Sequence, residues 1–161
     1  MSRRVFTIGA YGFDREGFFG ALEEAGIDIF LDIRQRRGLR GARYAFANVG
    51  RLAPELERRN IAYRHVKELA PDSQIRDLQR AADAASQTLK SKRTELSGAF
   101  VEAYTGAKLN HFDWESLVEE LQPFGAPVLF CVEQRPESCH RSLVAPRLAD
   151  LLQAEVMNLM P

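Results

Sequence analysis

Strand-like and helix-like segments alternate along the whole chain, and this alternation constrains the fold more than any other feature. The predicted strands, each rich in apolar, β-branched or aromatic residues, are Val5–Ile8, Ile27–Ile33, Ile61–Val66, Val128–Val132 and Val156–Met160. Segments with helical spacing separate them, which is typical of a mostly parallel sheet between helical layers. We therefore predict an α/β fold, a three-layer sandwich with a mostly parallel sheet of about five strands and helices on both faces.

Capping residues mark where some of the predicted helices begin and end. Asp14 precedes a helical pattern over Arg15–Ala25, and Gly26 follows it at the position where a left-handed glycine ends many helices. A second helical pattern, irregular in spacing, runs from Ser73 to Thr105 and places Leu78 on an apolar face.

Length and composition favour a single domain over residues 1–161. The chain is 45% apolar and 27% charged, as in ordinary globular proteins. No apolar run approaches the roughly 20 residues that span a bilayer, so we expect no membrane partner. The apolar run near the N-terminus is too brief for a signal peptide, and two cysteines are too few for a disulfide scaffold. We therefore expect a cytoplasmic protein.

Arginine is concentrated in one part of a chain whose formal net charge is zero. Between Arg34 and Arg64 there are nine arginines and only two acids. The loop Arg34–Arg43, with Tyr44 and Phe46 after it, combines positive charge with stacking surfaces, as nucleotide and single-strand binders do. A flexible solvated loop explains the same composition, and the pI of about 6.8 is low for a nucleic-acid-binding domain. The expected partner is an anionic small molecule or a nucleotide, with nucleic acid as an alternative.

Most of the unusual polar residues follow predicted strands. Ligands of open α/β sheets bind beyond the carboxyl ends of the strands, where loops converge and helix N-termini present free N–H groups. Chance would scatter such residues over both edges of the sheet, so we expect them to surround one site. They are Gly9, Tyr11, Asp32, Arg34, His65, Cys131, Glu133, Cys139, His140 and Arg141.

Cys139, His140 and Arg141 form the most informative tripeptide. A thiol in the first turn of a helix feels the positive end of the helix dipole, which lowers its pKa and favours the nucleophilic thiolate. His140 then serves as a general acid or base, and Arg141 binds an oxyanion. The simpler interpretations are a cysteine packed under the helix start, a histidine that caps the helix, and an ion pair between Arg141 and Glu137.

Cys131 has three interpretations. It is core filler, a resolving thiol for Cys139, or a metal ligand shared with Cys139 and a residue such as His65, His140 or Glu133. The Cys-x7-Cys-His spacing matches no common zinc pattern. We therefore predict no metal site and no other cofactor.

The carboxylates also have structural alternatives. Asp32 and Arg34 pair with each other on one strand face, or both reach the crevice, where Arg34 holds an anionic group and Asp32 acts as a base. Glu133 is a second candidate for acid–base catalysis, because burial would raise its pKa. The remaining residues that we assign to substrate or anion binding are Gly9, Tyr11, His65, Cys131 and Arg141.

The motifs of the chain resemble those of a known family. Cys131-Val132-Glu133 and the run from Pro136 to Ser142 resemble the C-terminal signature of bacterial and archaeal proteins catalogued as domain of unknown function 488. The other matching motifs are Thr7-Ile8-Gly9, Asp32-Ile33-Arg34, Tyr63-Arg64-His65 and Glu68-Leu69. The chain departs from the family pattern at Ala10-Tyr11, where histidine and serine are usual, and at Ala70-Pro71, where glycines are usual. The resemblance implies an α/β sandwich with a site at the two cysteines and supplies no reaction.

Three hypotheses follow from the sequence. The first is an enzyme that uses Cys139 as a thiolate, with arginines that hold an anionic substrate and a carboxylate that moves protons. The second is a noncatalytic module that binds a nucleotide or nucleic acid through the Arg34–Arg43 loop. The third is a metal-binding or redox-sensing protein built on Cys131 and Cys139.

Overall fold

One sheet organises the computed structural model, which describes residues 2–161. Within these residues the sheet has five strands, all parallel to their neighbours, in the order β3-β2-β4-β1-β5. The strands are β1 (Arg3–Ile8), β2 (Ile29–Asp32), β3 (Ala62–His65), β4 (Pro127–Phe130) and β5 (Ala154–Leu159). The predicted α/β sandwich with a parallel sheet is confirmed.

Helices connect the strands on both faces of the sheet. They are α1 (Arg15–Glu24), α2 (Val49–Arg58), α3 (Ser73–Ala85), α4 (Gly98–Tyr104), α5 (Trp114–Glu120) and α6 (Arg141–Leu152). The Asp14 carboxylate accepts the Gly17 N–H at 2.7 Å and so caps α1, and Gly26 follows α1 with a φ of +69°. None of the helices in residues 2–161 is long and apolar enough to cross a bilayer.

Alternate residues of the central strands pack into opposite helical layers. Phe30 of β2 belongs to the cluster that contains Phe18 of α1, and their ring centroids are 6.3 Å apart. Leu31, the next residue, belongs to the cluster that contains Val144 of α6. A strand covered on both faces needs apolar residues at successive positions, and each such buried side chain contributes about 1.5–3 kcal/mol.

The chain leaves β2 and β4 in opposite directions. From β2 it passes through α2 to the edge strand β3, whereas from β4 it passes through α6 to the other edge strand, β5. Because β2 and β4 are neighbours, a crevice forms between their carboxyl ends, which is where open α/β sheets bind ligands. Backbone hydrogen bonds join the loops there: the Ile33 N–H donates to the Phe130 carbonyl at 3.1 Å, and the Tyr11 N–H donates to the Val132 carbonyl at 3.0 Å.

Candidate functional site

A cavity of about 280 Å³ opens beside the carboxyl ends of β2 and β4. Its walls come from the loop after β2, from α3, from residues 90–100 and from the loop between β4 and α6. The predicted site residues in its wall are Arg34, Cys131, Glu133, Cys139 and His140. The apolar side chains in the wall include those of Leu39, Pro71, Leu96, Phe100 and Val132.

Two thiols and an imidazole meet at this cavity. Cys131 directly follows β4, and a 3₁₀ turn over Pro136–Ser138 returns the chain to it at Cys139. The two sulfur atoms and one ring nitrogen of His140 all lie within 4.8 Å of one another. Both thiols are free and buried. The ligand atoms of these three residues are close enough together to hold one metal ion, and within residues 2–161 no other group of such residues meets this condition.

The His140 ring is held between a backbone carbonyl and a thiol. Its Nε2 lies 2.9 Å from the carbonyl oxygen of Ile33, and its Nδ1 lies 3.8 Å from Cys139 Sγ. A carbonyl only accepts, so in the neutral ring Nε2 carries the proton and Nδ1 presents a lone pair to the thiol. The edge of Tyr104 packs against the ring, with centroids 5.6 Å apart. This arrangement directs Nδ1 of the ring toward the Cys139 sulfur.

The two thiols have pKa values that move in opposite directions. Burial alone would raise the pKa of Cys139, but the neighbouring Cys131 thiol, His140 and Arg141 hold that pKa well below its ordinary value. The neighbouring Cys139 sulfur and burial raise the pKa of Cys131 well above its ordinary value. Of the two thiols, Cys139 is therefore the one whose surroundings favour the thiolate.

Helix α6 begins later than the sequence pattern indicates. Arg141 is its first residue and His140 its N-cap, so Cys139 precedes the cap, with extended backbone at φ −133° and ψ 147°. The 3₁₀ turn that starts at Pro136 occupies the residues where the sequence pattern indicates the first helical turn. Since helix-dipole effects are confined to the terminal turn, the side chains around Cys139 stabilise its thiolate more directly than the dipole does.

Arg34 lines the same cavity, and its guanidinium is buried. Its Nε and Nη2 donate to the two carboxylate oxygens of Asp32 at 2.9 and 2.8 Å, and the guanidinium lies 4.6 Å from the centroid of the Phe130 ring. Its Nη1 has no hydrogen-bond partner although the side chain is only 4% exposed. Asp32 is fully buried behind Arg34 and does not line the cavity. The pair therefore leaves one buried donor of a fixed cation unsatisfied.

Glu133 is a buried carboxylate in the cavity wall. Burial raises its pKa, and the Cys139 charge adds to this rise, whereas Lys90 and Arg93 oppose it. Lys90 Nζ lies 3.4 Å and Arg93 Nη2 lies 3.6 Å from Glu133 Oε1. The net effect of burial and these neighbouring charges is a raised pKa for Glu133.

Arg93 is a site residue that sequence reasoning missed. Its guanidinium donates to the Ser138 carbonyl at 2.9 Å and pairs with Asp83 of α3 at 2.8 Å. It therefore ties α3 to the residue that precedes Cys139. Arg93 lies in a polar, irregular interval far from Cys139 in sequence, so no local pattern indicates its role.

Basic residues outnumber acidic residues among the described residues that line the cavity. Two acids in the wall, Asp83 and Glu133, are outnumbered by six basic residues, namely Arg34, Arg36, Arg76, Arg80, Lys90 and Arg93. Such a concentration of cations beside low-dielectric walls attracts anions.

Gly9 and Arg141 support the loop that carries Glu133. Arg141 is fully buried, and its Nη1 and Nη2 donate to the carbonyls of Glu133 and Gln134 at 2.5 and 3.1 Å. A Cβ added at Gly9 would overlap the Glu133 carbonyl. Neither residue lines the cavity.

His65 and Tyr11 lie around the cavity rather than in its wall. His65 Nε2 is 2.7 Å from the Arg34 carbonyl oxygen and so holds the backbone of that arginine. Tyr11 packs against Tyr44 with ring centroids 5.0 Å apart, and burial raises its pKa.

Comparisons with known proteins identify a family. No curated protein and no solved structure matches the chain. A family model described as "Domain of unknown function DUF488" matches residues 14–148, from the cap of α1 into α6. The match includes β2, β3, β4 and the whole loop that carries Cys131, Cys139 and His140, and it leaves β1 and β5 outside. Because the match covers most of its length, the chain belongs to the DUF488 family.

Proposed function

We propose that this protein is a thiol-dependent enzyme of the cytoplasm, folded as one domain over residues 1–161, that acts on an anionic small molecule. Cys139 is the nucleophile, His140 accepts its proton, and Arg34 binds the anionic group of the substrate. The observation that carries the proposal is that the Cys139–His140 pair and Arg34, with five further basic residues, line one cavity. Free, adjacent thiols suit a reducing compartment.

The thiol and the imidazole supply the elements of an activated nucleophile. A cysteine becomes a strong nucleophile when a neighbouring base removes its proton and a third group orients that base. His140 Nδ1 faces the Cys139 sulfur, and the Ile33 carbonyl orients the ring through Nε2. The neighbouring Cys131 thiol lowers the pKa of Cys139 and so favours its thiolate.

The remaining residues of the site bind the substrate and move protons. Arg34 is fixed by Asp32, which makes Asp32 a positioning residue. Arg93 and Lys90 add positive charge, while Glu133 exchanges a proton with the substrate or the leaving group. Cavities of this size hold small ligands, and the apolar part of the wall favours a substrate that carries an uncharged portion beside its anionic group.

Alkylation with two reagents of different charge tests both the reactivity of Cys139 and the preference of the cavity for anions. Iodoacetate carries a carboxylate and iodoacetamide does not. A cationic cavity should therefore make iodoacetate alkylate Cys139 faster relative to iodoacetamide. The rates are followed by mass spectrometry of peptides in the presence of a chelator. We expect carboxymethylation of Cys139 to dominate over that of Cys131, and inorganic phosphate to slow it.

Matched arginine variants separate local binding from overall charge. Arg93→Gln should lower the ratio of the iodoacetate rate to the iodoacetamide rate several-fold, because Arg93 lines the cavity. Arg4→Gln removes the same charge at the opposite edge of the sheet and should leave that ratio unchanged. The proposal fails if both reagents alkylate Cys139 no faster than a free thiol, or if phosphate does not protect it.

A second candidate function is noncatalytic binding of a polyanion. Residues 33–54 contain six arginines and no acid, and Arg36 of this loop lies in the cavity wall. Binding of a labelled single-stranded oligonucleotide should then weaken steeply with salt, because phosphate contacts release counterions. Simultaneous replacement of Arg36, Arg37 and Arg40 by glutamine should abolish that binding; unchanged binding would exclude this function.

A further inference from the structure

The three groups at the end of the cavity have the spacing of metal ligands. In a tetrahedral zinc site, bonds of about 2.3 Å to sulfur and about 2.0 Å to nitrogen put the ligand atoms roughly 3.5–3.8 Å apart. His140 Nδ1 already lies 3.8 Å from Cys139 Sγ, and the three ligand atoms of Cys131, Cys139 and His140 lie within 4.8 Å of one another. Closing the group around an ion therefore requires side-chain shifts of about 1 Å or less.

The histidine is oriented as a ligand would be. A metal-binding histidine nearly always donates its other ring N–H to a carboxylate or a backbone carbonyl, which fixes the tautomer. The Ile33 carbonyl accepts at 2.9 Å from Nε2, on the side of the ring away from the thiol. This bond leaves Nδ1 free to coordinate.

The donor set selects the class of metal. Two thiolates and an imidazole bind Zn²⁺ and similar thiophilic ions in preference to Mg²⁺ or Ca²⁺, which take oxygen ligands. The charges of two thiolates also balance a divalent cation. All three residues line the same cavity, so a fourth coordination position would face its interior, as in zinc sites that keep one position open.

We propose that Cys131, Cys139 and His140 form a binding site for a thiophilic divalent ion such as Zn²⁺, with the fourth position open to the cavity. The spacing of these residues in sequence does not indicate such a site; their approach in the fold does. This inference is independent of the proposed enzymatic activity. Because metal coordination and nucleophilic attack use the same sulfur lone pairs, the metal-bound protein is a separate state in which Cys139 is not available as a nucleophile.

Titration with Co²⁺ tests the site directly. The full chain is reduced, freed of metal with a chelator, exchanged into chelator-free buffer and titrated without oxygen. One equivalent of Co²⁺ should produce a thiolate-to-cobalt charge-transfer band together with the intense visible bands of tetrahedral coordination. Zn²⁺ should bleach these bands at one equivalent, whereas Mg²⁺ in excess should not.

Variants of the three proposed ligands, together with a control variant, show which residues bind Co²⁺. Cys131→Ser and Cys139→Ser should each greatly weaken the charge-transfer band, and His140→Gln should weaken Co²⁺ binding at least tenfold. His111→Gln, at an exposed histidine, is the matched control and should bind as the unmodified protein does. Circular dichroism establishes that each variant is folded.

The metal site is refuted if the folded protein gives no charge-transfer band, or if the band of Cys131→Ser is as intense as that of the unmodified protein. Zn²⁺ should also protect Cys139 from iodoacetamide, and a chelator should restore the reaction. Failure of the proposed enzyme would appear instead as slow alkylation of the metal-free protein, so the two outcomes are distinguishable.

Discussion

Arg141 Nη1 lies 2.5 Å from the carbonyl oxygen of Glu133, although its position beside Cys139 and His140 suggests an anion-binding role. A second donor, Nη2, reaches the Gln134 carbonyl, so the guanidinium clamps the backbone of the loop after β4. The side chain is fully buried. Arg141 therefore shapes the cavity by holding the loop, whereas Arg34 is among the basic residues that line it.

Replacing Arg141 by lysine should destabilise the fold and loosen the Glu133 loop. An ammonium is a point donor and does not reproduce the planar fork that reaches two carbonyls. One buried carbonyl then loses its partner, at a cost of about 1–3 kcal/mol. Urea unfolding of Arg141→Lys checks this value, and a free energy of unfolding equal to that of the original chain would contradict the clamp.

Gly9→Ala should also destabilise the loop that carries Glu133. The added methyl would overlap the Glu133 carbonyl, which cannot rotate away because Arg141 holds it. Overpacking of this kind costs about 1–3 kcal/mol. The matched control is Gly20→Ala in α1, where a Cβ meets nothing within 4 Å and should stabilise the helix by about 0.5–1 kcal/mol. Thermal unfolding that shifts both variants in the same direction would refute the packing argument.

The central strands were the most predictable part of the fold. Their residues are apolar at successive positions because both faces are covered, and such runs stand out from the amphipathic helices around them. In α3 the pattern was misleading: Leu78 is 39% exposed, while Gln79 is buried. Gln79 tolerates burial because its amide donates to Asp83 and accepts from the Ser97 N–H, partners that a sequence does not reveal.

The gathering of several predicted residues at one cavity was predictable from the sequence, but their contacts were not. Strand ends placed Arg34, Cys131 and Glu133 at one edge, since parallel strands share a carboxyl edge. The backbone carbonyls that hold His140 and Arg141 were not predictable, because every residue has a carbonyl and only the fold decides which one faces a donor. The contribution of Arg93 depends on the docking of its segment against α3, which has no local signature.

The Tyr63–Asp32 hydrogen bond should make the stability of the protein depend on pH in alkaline solution. The Tyr63 hydroxyl donates to Asp32 at 2.7 Å, and burial together with this carboxylate raises the pKa of Tyr63 to about 12. The folded chain therefore holds this proton more tightly than the unfolded chain, whose tyrosines titrate near pH 10. The resulting stabilisation is fully present below about pH 10 and is lost as the pH rises toward 12.

Tyr63→Phe provides the measurement. The difference in tyrosinate absorbance between the original chain and Tyr63→Phe should titrate near pH 12, and the variant should lose less stability between pH 10 and 12. A difference spectrum that titrates near pH 10 would show that the hydroxyl is not held by Asp32.

Asp83→Asn should expose Cys139. Asp83 pairs with Arg93, and Arg93 in turn holds the Ser138 carbonyl next to Cys139, whose side chain is 2% exposed. Replacing the carboxylate weakens its charge-assisted hydrogen bond to Arg93, which is mostly buried, and should lower the free energy of unfolding by about 1–3 kcal/mol. Alkylation of Cys139 by neutral iodoacetamide should become several-fold faster. Asp77→Asn on the same helix removes an exposed ion pair with Arg80 and should change stability by less than about 0.5 kcal/mol. If the two variants alkylate at the same rate, Arg93 does not close the cavity over the thiol.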